Sequence, residues 1–149
     1  MDTVIREVIH KYAKIMIRRK ILMQYEKTEV TVISDEKWLA FVLEQLLSNA
    51  VKYMSEGELT IEVREEPQHI WLEIRDTGIG IRSEDIPRVF EKGYTGFNGH
   101  EDKRSTGIGL YLCREVLQKL GHTIQIQSVM GEGTTVKVGF SKDTIDFRD

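Results

Sequence analysis

The most informative stretch of this chain is Asp76-Thr77-Gly78-Ile79-Gly80-Ile81, which follows an alternating segment typical of a β-strand. Glycines at these positions can adopt positive φ angles and allow a ligand to approach the backbone closely. The Asp76 carboxylate, at the end of the strand, can accept a hydrogen bond from an exocyclic amine such as that of adenine. The simpler interpretation is a strand-to-loop turn in which Asp76 is the turn former, which is common.

A second glycine stretch, Ser105-Thr106-Gly107-Ile108-Gly109-Leu110, opens a helix predicted at 107–120. Backbone N–H groups at the start of a helix, with the positive end of its dipole, suit phosphate groups. The alternative is a glycine N-cap. A P-loop is excluded because the chain has no G-x-x-x-x-G-K-[ST], and the dinucleotide pattern is incomplete because Ser83 stands where its third glycine would be.

A helix predicted before these stretches carries polar residues at helical spacing. Gln45, Asn49 and the pair Lys52 and Tyr53 are three and four residues apart, so they share one face. Asn49 offers a carbonyl oxygen, which suits Mg²⁺, and Lys52 offers a point charge for phosphate oxygens. Tyr53 offers a ring edge and a hydroxyl. The alternative is a solvated helix face that happens to include an Asn.

Hydrophobic periodicity predicts an α+β fold, a two-layer α/β sandwich with about three helices on a mixed, mostly antiparallel sheet. The first half of the chain is predicted to form a helix to about Arg19, strands at 21–25 and 30–33, a helix capped by Ser34 or Asp35, and a hairpin of strands 58–64 and 70–75. Residues 81–91 are predicted to hold at most a helical turn, and residues 92–106 a mobile loop. A helix at 107–120, followed by Gly121 at its C′ position, and strands at 123–128 and 134–140 complete the prediction.

Bulk composition favours one soluble domain. The chain has 149 residues, of which 40% are hydrophobic, enough for a core, and its net charge of −3 gives no reason to expect nucleic acid or an anionic membrane as a partner. The single cysteine, Cys113, excludes an internal disulfide and fits a cytosolic setting. No apolar run approaches the about 18 residues of a membrane span, and early charges such as Arg6 argue against a signal peptide.

Taken in order, the motifs resemble the nucleotide site of the GHKL ATP-binding family and, within it, the catalytic domain of bacterial sensor histidine kinases. The matching segments are 45–53 (N box), 76–81 (G1 box), 88–92 (F box), 105–110 (G2 box) and 131–134 (the final glycine-threonine element). The resemblance covers about residues 34–140 and implies a Bergerat-type ATP-binding fold. The runs 91–97 and 105–112 look most like kinases of the intramembrane-sensing type, which serve antimicrobial-peptide (bacitracin) resistance in Gram-positive bacteria.

The resemblance implies ATP and Mg²⁺ as cofactors and a role for each matching residue. Asn49 would hold the metal, Asp76 would bind the adenine amine, and Thr134 would assist Asp76. The implied catalytic residues are Asn49, Lys52 and Arg104, although Arg104 could also be a solvated charge. The implied nucleotide contacts are Asn49, Lys52, Tyr53, Asp76, Gly78, Gly80, Ile81, Phe90, Lys92, Thr106, Gly107, Ile108, Gly109, Leu110 and Thr134, with 92–106 as the ATP lid.

The chain departs from the family pattern at Gln45. Many sensor kinases have Asn there, and the hydrolytic relatives have a Glu that activates water. Glu44 is adjacent, but one residue rotates it by about 100° around the helix, away from the site face. A phosphoryl donor is therefore expected rather than an ATPase.

The four histidines give no phosphoacceptor. The family's acceptor His sits on a helical hairpin, followed by an acidic residue and then Pro, and none of His10, His69, His100 and His122 has that context. The chain is thus expected to be a single catalytic domain, 1–149, without the hairpin domain or the sensor and transmembrane region. Its expected partners are that hairpin domain and, indirectly, a response regulator, with no nucleic acid and no direct membrane contact. Its expected location is the cytoplasmic side of a membrane-anchored bacterial kinase.

Three other functions stay open from sequence. A GHKL ATPase would hydrolyse ATP without an acceptor, and a non-catalytic nucleotide sensor would bind ATP and phosphorylate nothing. An anti-sigma-type serine kinase of the same fold would give an acid-stable phosphoserine. Among other reactive or aromatic residues, Cys113 is interpreted as an inert buried thiol, and Phe90 as either a lid anchor or a core residue.

Overall fold

A computed structural model describes residues 1–30, 36–52, 54–91 and 109–142. The elements in chain order are α1 (Asp2–Arg18), β1 (Ile21–Tyr25), α2 (Glu36–Lys52), β2 (Gly57–Glu65), β3 (His69–Asp76), a short 3₁₀ turn (Ile86–Arg88), α3 (Gly109–Lys119), β4 (Thr123–Val129) and β5 (Gly133–Ser141). The predicted cap at Ser34 or Asp35 and the loop at 92–106 lie outside the described residues. So does the predicted strand at 30–33, except for Val30, which is not in a strand.

Within the described residues, five strands form one sheet in the order β1-β2-β3-β5-β4. β1 is parallel to β2, and the other pairs are antiparallel. The mixed, mostly antiparallel sheet is therefore confirmed. The predicted hairpin is also confirmed: β2 and β3 pair directly, and the Glu66 N–H donates to the His69 carbonyl at 2.8 Å across the turn.

The core lies between the helices and one face of this sheet. Alternate residues of the central strands are buried on that face: Leu59, Ile61, Ile70, Leu72, Ile74, Val136 and Val138. α2 presents a buried apolar stripe to them: Leu39, Val42, Leu43, Leu46, Leu47, Ala50 and Val51. Burial of each large side chain stabilises the fold by about 1.5–3 kcal/mol. The two-layer α/β sandwich is confirmed.

The opposite face of the sheet carries charges. Glu73 forms ion pairs with Arg64 at 3.6 Å, Arg75 at 3.2 Å and Lys137 at 3.3 Å. Side chains alternate between the two faces of a strand, so Asp76, which has the parity of Leu72 and Ile74, points toward the helix layer. The sheet thus brings the Asp76 carboxylate to the side where the helices can complete a pocket.

The way in which α3 ends requires a residue with a positive φ angle, which explains why Gly121 follows the helix. Gly121 has a φ of +79°, which glycine adopts without strain. Its N–H donates to the Gln118 carbonyl at 3.1 Å, and the His122 N–H donates to the Leu117 carbonyl at 2.7 Å. These two bonds form a Schellman motif. The prediction for Gly121 is confirmed, and the chain turns directly from α3 into β4.

None of the helices within the described part of the chain combines the length and the apolar composition that crossing a membrane requires.

Candidate functional site

Asp76 is the last residue of β3 and is half-buried. Its Oδ1 accepts a hydrogen bond from the Gly78 N–H at 2.9 Å. The backbone N–H of Thr134, the register partner of Asp76 on β5, also favours the ionised carboxylate. The Gly78 N–H therefore orients the carboxylate, which has lone pairs left for a further donor.

Burial raises the pKa of Asp76 above its ordinary value, while the N–H groups of Gly78 and Thr134 oppose this shift. The desolvated carboxylate is thus a strong acceptor, because taking a charge out of water is costly unless a donor compensates it. An exocyclic amine is a donor of the required kind.

Ser128, near the end of β4, connects the turn after Asp76 to the β4–β5 turn. Its Oγ accepts from the Ile81 N–H at 2.7 Å and donates to the Gly133 carbonyl at 2.9 Å. It also lies 2.8 Å from the Thr134 Oγ1. Since a hydroxyl has one proton, Thr134 is the donor in that last bond, and the Oγ1 lone pairs of Thr134 remain available.

Two glycines allow these turns to approach each other. A Cβ atom at Gly80, whose φ is +80°, would lie 2.3 Å from the Val129 carbonyl oxygen. A Cβ atom at Gly133, whose φ is +128°, would lie 1.9 Å from the Asp76 carbonyl oxygen. Any side chain would therefore collide with backbone at either position. Gly80 is required by chain packing, in addition to the implied contact with the base.

The polar face of α2 meets the start of α3. A Cβ atom at Gly109 would lie 2.6 Å from Gln45 Oε1, so the Gln45 amide fills the space beside that glycine. Asn49 is half-buried one turn further along the same face, and Lys52 is the last residue of α2. The structure thus brings the N-box face and the described part of the second glycine stretch together.

Phe90 lies just before the segment interpreted as the lid. It is half-buried, and the Arg114 guanidinium of α3 lies 5.4 Å from the centroid of its ring, a cation–π distance. Phe90 therefore contacts α3, and the choice between lid anchor and core residue stays open.

Of the residues expected at the site, the structure describes Asn49, Lys52, Asp76, Gly78, Gly80, Ile81, Phe90, Gly109, Leu110 and Thr134. The others lie outside the described residues: Tyr53, Lys92, Arg104, Thr106, Gly107 and Ile108. Leu110 packs against the hydrophobic core rather than standing clear of it.

Sequence reasoning missed Ser128 as part of this site. A signal for Ser128 was present, because it occupies an inward position of the alternating strand β4, where an apolar residue is the usual choice. Gly133 lies in the matching segment 131–134, but its close approach to the Asp76 carbonyl depends on a tertiary contact that the sequence does not show.

The remaining residues considered are the cysteine and the histidines, of which His100 lies outside the described residues. Cys113 is fully buried, and burial raises the pKa of its thiol to about 12, so it is inert as predicted. His122 is also buried, and its Nδ1 accepts from the Ser141 N–H at 3.1 Å. His10 is exposed on α1, and His69 begins β3.

Comparisons with known proteins agree with this geometry. Residues 34–144 match the family described as "Histidine kinase-, DNA gyrase B-, and HSP90-like ATPase". "Sensor histidine kinase YxdK" of Bacillus subtilis (strain 168) is 39% identical over 146 residues, which are 94% of this chain and 44% of that protein. "Sensor protein BceS" of the same organism is 42% identical over 118 residues, 79% of this chain and 35% of that protein.

The fold has solved counterparts as well. The structure of full-length ShkA in complex with AMPPNP superposes with a TM-score of 0.79 at 18% identity, covering 93% of this chain and 29% of that one. The chain spans less than half the length of the YxdK and BceS relatives. Their names bear out the likeness to sensor kinases of the intramembrane-sensing type. The chain therefore belongs to the histidine kinase-, DNA gyrase B- and HSP90-like ATPase family, as an ATP-binding catalytic domain of the sensor histidine kinase kind.

Proposed function

We propose that this chain binds Mg-ATP and donates the γ-phosphoryl group to a histidine on a separate phosphoacceptor hairpin domain. The observation that carries the proposal is the half-buried Asp76 carboxylate, held by the Gly78 N–H on the helix-facing side of the sheet. An acceptor fixed in this way suits the amine of adenine. The AMPPNP bound in the ShkA structure supports a nucleotide as the ligand.

The phosphate end is assigned to the contact between α2 and α3. The N–H groups of the first turn of α3 have no partners within the helix, so they can bind phosphate oxygens. Lys52 adds a positive charge on the α2 side. Arg104, Lys92 and Thr106 are proposed to complete this end from the segment before α3.

Asn49 is the residue proposed to hold Mg²⁺. Within the described residues, no three His, Cys, Asp or Glu side chains form a metal cluster. A single amide oxygen fits Mg²⁺, which usually keeps several waters and binds substrate phosphates. The ion, when bound, neutralises charge on the phosphate oxygens. The protein's own part is to orient the phosphates and exclude water.

Two observations favour a phosphoryl donor over a hydrolase. Glu44 forms an ion pair with Lys11 of α1, which directs its carboxylate away from α3. Gln45 faces Gly109, but an amide cannot take a proton from water. Neither side chain is suited to activate water.

The wider context is also proposed. Residues 1–149 act as one catalytic unit that takes its acceptor His from a hairpin domain of its own kinase. The phosphoryl group then reaches a response regulator in a two-component system. The unit works on the cytoplasmic side of a membrane-anchored bacterial kinase.

Incubation with radiolabelled ATP tests the proposal. The chain alone should incorporate no label and release only traces of phosphate, and the added hairpin domain should become labelled on histidine. That product is acid-labile and base-stable. Strong labelling of the chain alone, acid-stable phosphoserine, or many turnovers of free phosphate would overturn the proposal.

A further inference from the structure

The contact between Gln45 and Gly109 joins the two halves of the phosphate end. The ideal Cβ position of Gly109 lies 2.6 Å from Gln45 Oε1 and 3.6 Å from Gln45 Cδ. Such distances place the end of the Gln45 amide where a side chain of residue 109 would begin. Gln45 thus supplies the side-chain packing that Gly109 lacks.

Gly109 differs from the other glycines of the site. Gly80 and Gly133 have positive φ angles, and their missing Cβ atoms would collide with backbone. Gly109 has no positive φ, and the atoms nearest to its missing Cβ belong to one flexible side chain. The backbone therefore does not demand glycine at this position, and the Gln45 amide is what makes glycine suitable.

The chemistry of the amide suits its place. Its oxygen lies against the first turn of α3, whose N–H groups carry partial positive charge. A carboxylate in this place would carry a full negative charge and would compete with the phosphates for those N–H groups. The neutral amide oxygen carries no such charge. Because Asn49 is one turn from Gln45 on α2, anything that fixes Gln45 against Gly109 also fixes Asn49 relative to α3.

We propose that Gln45 is a positioning residue, which sets the distance between Asn49 and the first turn of α3 by packing its amide against Gly109. This inference rests on the proposed function, because it concerns the same nucleotide site. It gives Gln45 a spacing role at the position where the hydrolytic relatives carry their water-activating Glu.

A double-mutant cycle with Gln45→Ala and Gly109→Ala tests the proposal. The first variant removes the amide, and the second puts a methyl group where the amide lies. The affinity for ADP, measured by calorimetric titration, depends on both ends of the site, whereas the affinity for adenosine depends on the Asp76 end alone. Gln118→Ala, an exposed glutamine on α3, is the matched control.

Each single variant should weaken ADP by about fivefold or more and leave adenosine within about twofold, because only the phosphate end is disturbed. The double variant should be no weaker than either single, since both changes break one contact. Gln45→Met, which keeps the length of the side chain, should retain ADP affinity within about threefold. Thermal unfolding of every variant checks that it is folded.

Other outcomes are decisive against the proposal. If the loss of ADP affinity in the double variant equals the product of the two single losses, Gln45 does not act through Gly109. The same conclusion follows if Gly109→Ala binds ADP with normal affinity. Equal losses for ADP and adenosine would mean general damage, and a Gln45→Met as weak as Gln45→Ala would exclude spacing. A wild-type chain that binds no ADP would instead refute the proposed function, and unfolding free energies of the same cycle would still report on the contact.

Discussion

Asp76 shows how much a single atom type matters at this site. The backbone N–H of Gly78 donates to its Oδ1 at 2.9 Å. In an Asp76→Asn variant the amide oxygen would keep that bond, which leaves the NH₂ group to face the ligand. Two donors would then meet, the variant's NH₂ and the adenine amine.

Asp76→Asn should therefore weaken adenine nucleotides by about 1.5–3 kcal/mol, the value of a lost charged hydrogen bond. The measurement is calorimetric titration with ATP analogue and with the corresponding guanine nucleotide. Wild type should prefer adenine, and the variant should lose that preference. Equal binding of the two bases by wild type would show that Asp76 does not read the amine.

The raised pKa of Asp76 predicts a pH dependence with two opposite signs. Between the ordinary Asp pKa and the raised folded value, Asp76 is more protonated in the folded chain than in the unfolded chain. The contribution of Asp76 to the free energy of unfolding without ligand, measured as the difference between wild type and Asp76→Asn, should thus fall as pH rises through that interval. Asp2 and Glu62, whose pKa values are lowered, contribute the opposite slope in both proteins. Nucleotide affinity should instead rise with pH, because the ionised carboxylate is the acceptor. Denaturant titrations of wild type and Asp76→Asn across acidic pH test the first slope. Calorimetry over the same range tests the second, which Asp76→Asn should flatten.

Asn49 is proposed to contribute chemistry rather than packing. It is half-buried on the polar face of α2, next to the apolar stripe but not in it. Asn49→Ala should consequently abolish Mg-dependent binding of an ATP analogue while the domain stays folded. Titrations with Mg²⁺ and with EDTA, together with circular dichroism, measure this. A folded variant with unchanged Mg-dependent affinity would remove Asn49 from the metal site.

At the scale of elements, the site depends on two turns that support each other. The turn after β3 and the turn between β4 and β5 share the hydroxyl of Ser128, which bonds to Ile81, Gly133 and Thr134. Strand ends and turns therefore build the proposed adenine end, whereas helices build the proposed phosphate end.

Ser128→Ala should lower the free energy of unfolding by about 1–3 kcal/mol, because the Ile81 N–H and the Gly133 carbonyl lose their partner. It should also weaken adenosine binding, since Thr134 and the Asp76 turn lose a common support. Urea denaturation and adenosine titration measure the two effects. Gln127→Ala, at the exposed neighbouring position of β4, is the control and should change neither.

Most elements could be predicted from the sequence because their signals are local. Alternation gave β2 and β3, helical spacing gave α1 and α2, and Gly121 gave the end of α3. The Gln45–Gly109 contact could not be predicted, because the two residues lie on helices that meet only in the folded chain. The inward position of Ser128 in β4 was a visible signal, but its three partners could not be predicted, since they come from two turns that meet only in the folded chain.

For the whole molecule, the site is distributed over the length of the chain. α2, the end of β3, the start of α3 and the β4–β5 turn each supply a part. The sheet order explains how the proposed adenine end is assembled, because β3 lies directly beside β5 and so brings Asp76 opposite Thr134. The charged open face of the sheet takes no part in this assembly.

The mutual fit of the two turns also restricts how such domains can recombine. Ile81 and Ser128 are 47 positions apart in the sequence. At Gly80 and at Gly133 the backbone of the opposite turn lies so close that this turn cannot follow a different path. A crossover between these positions would combine turns of different ancestry. Chimeras whose new β4–β5 turn has the same length should keep adenosine affinity, and those with one residue more or fewer should lose it. The two turns would therefore be inherited as one unit.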